Sequence, residues 1–130
     1  MARQHEASAR QLVRPGAPVI ARAHVLYHVG CSVEFALKAL IMRREGLNRW
    51  PDRSASDYWT HDLNKLLRKL GIVIQPTDPV APAWSVVVTW TRIADYTYNP
   101  SPTPLPVAKS YIEAGYGPNG VMEWVLSQLT

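Results

Sequence analysis

The sequence predicts an all-α protein, an up-and-down bundle of four to five antiparallel helices. Apolar residues recur at three- and four-residue steps over several segments, glycine and proline punctuate the chain between them, and the one valine-rich stretch has no evident partner strand. At 130 residues, 47% of them hydrophobic and 18% charged, the chain has the length and composition of one domain, residues 1 to 130, with a core of its own.

The first element is a short polar helix from Ala2 to about Val13, stopped by Arg14, Pro15 and Gly16. A second helix is expected to begin near Pro18, which suits a first helical position, and to run to Glu45 with Gly46 as its stop. Leu26, Val29, Val33, Leu37, Leu40 and Arg44 form one stripe of it, and Phe35, Ala36, Ala39 and Met42 cover much of the remaining circumference. A helix apolar on most faces is expected to be buried by several neighbours. A narrow arc of Tyr27, Cys31, Glu34, Lys38, Ile41 and Glu45 interrupts that apolar character. Glu34 and Lys38 lie one turn apart on this arc, and they are expected to be partly buried at a groove or a dimer seam.

Residues 47 to 60 read as a loop pinned by Trp50, Tyr58 and Trp59. The next helix, "HDLNKLLRKLG", opens on a capping residue, Thr60 or Asp62, turns Leu63, Leu66, Leu67 and Leu70 to one side, and ends at Gly71. In "AWSVVVTWTRIADY" the valines favour a strand, but Trp84, Val87, Trp90 and Ala94 fit a helical face, so a helix is predicted. The last segment, 107 to 129, carries Ile112, Tyr116, Met122, Val125 and Leu129 at helical intervals. Its "GYGPNG" centre is compatible with two short helices or with one bent helix.

A formal charge of +4 is unevenly placed. Residues 1 to 53 hold nine Arg or Lys against four Asp or Glu, and residues 54 to 130 hold five against six. That bias suits a phosphate-rich partner on the N-terminal half. A single cysteine, Cys31, excludes an internal disulfide framework, and no stretch reads as a signal peptide or a membrane span, so a cytoplasmic location without membrane contact is expected.

The sequence contains no glycine-rich phosphate loop, no zinc-spaced Cys and His set and no hydrolase triad order. His24 and His28 stand one turn apart without the glutamate of a metalloprotease helix, so neither a metal nor any other cofactor is expected. His61 sits beside Asp62 at a helix start and is suited to proton exchange near neutral pH. Its plainer role is to pack on Trp59 beside a capping element. Arg92 can clamp a phosphate, and Tyr96 and Tyr98 can stack on a base, or the arginine can pair with Glu34 or Asp95 while the tyrosines pack under the prolines.

Taken in order, "YHVGCSVEFALKALI", "THDLNKLLRKLG", "RIADYTYNP" and "AKSYIEAG…VMEWVLSQL" resemble the HEPN domain superfamily over roughly residues 10 to 129. The resemblance implies a homodimer from a prokaryotic defence or toxin–antitoxin type system, partnered by a nucleotidyltransferase or antitoxin and able to bind RNA or a nucleotide. Active members of that superfamily are metal-independent ribonucleases with an arginine followed a few residues later by a histidine in a late helix. Here "WTRIADYTYNP" stands in that place and sets Asp95 or Tyr98 where the histidine belongs, so the usual ribonuclease motif is missing. Arg22 and His28 have the spacing but lie early, and six steps of a regular helix leave their side chains about 120° apart. The sequence therefore predicts a binding module whose groove holds Glu34, Lys38, His61, Asp62, Arg92, Tyr96 and Tyr98. The alternative is a ribonuclease toxin with His61 as general base and Arg92 as phosphate clamp, and a third reading makes the polar groove residues mere determinants of dimer register.

Overall fold

A computed structural model describes residues 2–17, 23–55, 57–89 and 103–129. Among these residues there is no strand. Six helices pack together: α1 (Ala2–Leu12), α2 (Ala23–Glu45), α3 (Leu63–Lys69), α4 (Ala81–Val87), α5 (Leu105–Tyr116) and α6 (Val121–Gln128). The expected helix start near Pro18 and the stretch from Trp90 to Pro102 lie outside the described residues.

Helix ends follow from local chemistry. Gly46 adopts φ 65°, and the N–H groups of Gly46 and Leu47 turn back onto the carbonyls of Arg43 and Met42, which closes α2 with both bonds of a Schellman motif. Gly71, at φ 69°, repeats the device on α3 through Arg68 and Leu67. At the start of α3 the Asp62 carboxylate accepts the N–H groups of Asn64 and Lys65 at 2.9 and 3.2 Å. The valine-rich segment is helical through Val87, since that conformation turns Trp84 and Val87 together into the core.

The "GYGPNG" segment divides the last stretch into α5 and α6. Asn119 takes a left-handed φ of 56° in the turn, where asparagine is better tolerated than most residues. A Cβ on Gly115 would lie 2.8 Å from Val29 Cγ1, so that glycine sets how closely α5 approaches α2. The second helical segment begins at Gly120, whose own Cβ would stand 2.6 Å from the Gly117 carbonyl oxygen.

Everything is arranged around α2, which packs against α1, α3, α5 and α6, while α4 packs on α5 and α6. Val25, Val29, Val33, Leu37, Leu40 and Ile41 of α2 are buried, each worth about 1.5 to 3 kcal/mol relative to exposure. By length and composition α2 is also apolar enough to cross a membrane, but over half of its apolar window is covered by the rest of the protein. Burial is less complete than its composition suggested. Phe35, Ala36 and Met42 are only half-buried, and Ala39 is exposed.

A histidine pair fastens α1 to α2. His5 Nδ1 and His28 Nδ1 lie 2.8 Å apart, so one ring donates and the other accepts. Phe35 stacks on His5 at 5.8 Å, and Tyr27 meets both imidazoles edge-on. Burial lowers the pKa of each histidine below its usual 6.5, and their mutual repulsion when charged lowers that of His28 further. The folded state therefore favours neutral rings, so protons bind the unfolded chain first. The stability this pair contributes above pH 6.5 is lost as pH falls through 6.5 toward the folded-state values. Thermal denaturation followed by circular dichroism is expected to give a lower Tm at pH 5.5 than at 7.5, with a smaller difference in the double variant His5→Gln, His28→Gln.

Candidate functional site

The most unusual residue of the core is Glu34. Its residue exposure is 1%, the carboxylate lying among the apolar side chains of α2. Desolvating a carboxylate costs several kcal/mol unless opposite charge and hydrogen bonds offset the loss of water. Two groups do so at one oxygen. Oε1 accepts from Lys38 Nζ at 2.8 Å, one turn along the same helix, and lies 2.8 Å from His61 Nδ1.

His61 comes from a different part of the chain, and its position depends on the α3 cap. The Asp62 N–H donates to Thr60 Oγ1 at 3.1 Å while the Asp62 side chain caps the helix, which fixes the backbone on both sides of the imidazole. Leu63, Leu66 and Leu67 then bury the inner face of α3. Since a carboxylate only accepts, the bond to Glu34 places the His61 proton on Nδ1. The side chain is 53% exposed, against 2% for Glu34 and 15% for Lys38, so the three groups run from the core to the surface.

The loop between α2 and α3 braces this constellation. Lys38 Nζ lies 5.5 Å from the Trp50 ring centre, and Trp50 meets Tyr58 edge to face at 5.5 Å. Tyr58 donates to Glu45 Oε2 at 2.6 Å, and Lys69 Nζ sits 3.7 Å over the Tyr58 ring while binding Asp57 Oδ2 at 2.9 Å. The Asp57 bond raises the Lys69 pKa, and the same bond holds the Asp57 carboxyl below its ordinary range. Hydrogen bonding to Glu45 pushes the Tyr58 phenol up.

Of the residues singled out in the sequence, the structure brings together Glu34, Lys38 and His61. Asp62 acts on the α3 backbone, and the bond found for His61 leads to Glu34, whereas Trp59 donates to the Pro51 carbonyl. Arg22, Arg92, Asp95, Tyr96 and Tyr98 lie outside the described residues. His24 and His28 belong to no cluster of three or more potential metal ligands among the described residues.

Sequence reasoning missed two polar contacts. One is the His5–His28 bond. The other joins Ser32 Oγ to Tyr116 OH at 2.6 Å, the phenol also lying 3.3 Å from the His28 carbonyl. Burial drives the Tyr116 pKa up to about 12, so it stays a neutral hydrogen-bonding group at physiological pH. Both contacts cross between helices distant in the chain, and no local periodicity signals them.

Comparison with known proteins adds no assignment: no protein-family model, curated protein or solved structure matches the chain. The chemistry must be argued from the site.

The Glu34–Lys38 pair has a measurable energetic signature. Lys38→Met retains the apolar stem beside Trp50 but removes the charge, and is expected to cost roughly 3 kcal/mol in urea unfolding because a carboxylate stays buried. Replacing both residues, Glu34→Leu with Lys38→Met, should cost less than Lys38→Met alone. An equal or larger loss would contradict the ion-pair account.

Proposed function

We propose that this chain is a HEPN-like homodimeric helical bundle of a prokaryotic defence or toxin–antitoxin type system, acting in the cytoplasm as an RNA-binding module. A nucleotide or a partner nucleotidyltransferase is the other occupant its resemblance implies. The observation that carries the reading is the buried Glu34 carboxylate, which holds the half-exposed His61 imidazole and the mostly buried Lys38 ammonium. Polar groups so deeply supported are costly to place unless they specify a partner or a reaction. The half-covered side of α2 at Phe35, Ala36, Ala39 and Met42 offers a second copy an apolar strip to cover. A reducing compartment suits the buried thiol of Cys31.

One feature favours a second reading, that of a ribonuclease. A buried carboxylate bonded to Nδ1 is the arrangement that fixes a catalytic histidine's tautomer and stabilises its imidazolium. In that reaction His61 Nε2 takes the proton of a ribose 2′-hydroxyl while O2′ attacks phosphorus. The P–O5′ bond breaks, and the leaving oxygen takes a proton from the imidazolium, giving a 2′,3′-cyclic phosphate and a 5′-hydroxyl. Arg92 remains the proposed phosphate clamp.

Incubating the pure protein with labelled single-stranded RNA separates the readings. The binding module retains RNA uncut, with affinity falling as salt rises. The ribonuclease leaves cyclic-phosphate ends, and its rate drops about 10²- to 10⁴-fold in His61→Ala. If the protein neither binds nor cuts RNA at low salt, both RNA readings fall. A monomer in light scattering would remove the homodimer.

A further inference from the structure

The loop after α2 borders an open, shallow cleft of about 780 Å³ whose walls include Leu47, Arg49, Trp50, Pro51, Asp52 and Trp59. Its position follows from the end of α2. The left-handed Gly46 turns the chain sharply away from the helix, and the residues that follow fold back as the cleft wall. Three features of this wall point to one kind of ligand.

The first is a large aromatic face held near solvent. Trp59 is 44% exposed, yet its ring is not left to rotate freely, because Nε1 donates to the Pro51 carbonyl at 2.9 Å. The second is another indole, that of Trp50, whose Nε1 is buried, so it is ring surface that Trp50 adds to the wall. The third is charge. Arg49 lies on the wall with the single carboxylate Asp52, which accepts from the Ser54 N–H and hydroxyl, and Arg53 follows four residues along the same loop. The Arg53 guanidinium lies 5.5 Å from the Trp59 ring centre, on the same aromatic group that the cleft presents.

A planar ring system with flanking negative charge matches all three, and a nucleotide is such a ligand. We propose that the cleft takes one nucleotide of a single-stranded RNA, its base stacked on Trp59 and its flanking phosphates on Arg49 and Arg53. This assignment rests on the RNA-binding reading and gives it a location. Asp52 on the wall accepts from a base amino group or a ribose hydroxyl. Trp50 also lies beside Lys38 of the Glu34 site, and Trp59 precedes His61 by two residues. A proline-rich peptide would also use the two indoles, but it gives the arginines nothing to neutralise.

Fluorescence anisotropy of the full chain with short labelled oligouridylate and oligoadenylate, over a series of salt concentrations, tests the assignment. Trp59→Ala is expected to weaken binding by roughly 5- to 100-fold, whereas Trp59→Phe, which keeps a stacking ring, retains most of the affinity. Arg49→Ala and Arg53→Ala are each expected to reduce the slope of log affinity against log salt by about 0.7. Circular dichroism confirms that each variant is folded. If folded Trp59→Ala and Arg49→Ala bind RNA as the wild type does, the cleft assignment is overturned while the RNA reading stands. If the wild type binds neither oligonucleotide at low salt, the RNA reading fails and the cleft assignment with it. Binding of a proline-rich peptide in place of RNA, abolished by Trp59→Ala, overturns the nucleotide and makes the cleft a peptide site.

Discussion

A carboxylate at the centre of the most apolar helix imposes conditions on everything around it. A carboxylate as buried as that of Glu34 needs partners close enough to replace its water, and Lys38 and His61 both reach Oε1 at 2.8 Å. Lys38 is there by helical geometry alone, one turn along. His61 has no such guarantee, because 27 residues separate it from Glu34. The intervening chain has to be held in one arrangement for the pair to form. Its Schellman closure at Gly46, its aromatic contacts at Trp50 and Tyr58 and its Asp62 cap each remove freedom that would otherwise let the imidazole drift.

The same brace links stability with the surface. Lys69 on α3 gathers Asp57, Glu45 and the Tyr58 ring, which ties the end of α2 and the loop to α3. Exposed ion pairs of this sort contribute little individually. Their effect here is positional, since the loop they fasten carries both His61 and the walls of the cleft. Rigid support of this kind is what a binding or catalytic group needs, because a displacement of about 1 Å can cost a hundredfold in rate.

Chemistry and resemblance pull toward different parts of the chain. The HEPN-like pattern directs attention to the late segment around Arg92, where the expected histidine is replaced. The described residues instead gather a carboxylate, an ammonium and an imidazole around α2 and the start of α3. In the ribonuclease reading, His61 takes the part of the missing histidine.

Much of the architecture was legible in the chain because helices are encoded locally. Periodic leucines and valines, the glycines at 46 and 71 and the capping residues at 60 to 62 act within a few residues of themselves, so the all-helical class, the C-terminal ends of α2 and α3 and the start of α3 could be read directly. The odd polarity of Glu34 and Lys38 could be read as well, since an arc on one helix is a local property. Its depth could not: partly buried was expected, and Glu34 proved fully buried. Whether "GYGPNG" bends or divides the last helix was undecided until α5 had to approach Val29 closely at Gly115. The Glu34–His61 bond, the His5–His28 bond and the cleft between Trp50 and Trp59 were decided by tertiary structure alone. Each depends on groups brought together across turns and between helices, and hydrogen bonds and ring contacts act over a few ångströms of space whatever the distance along the chain.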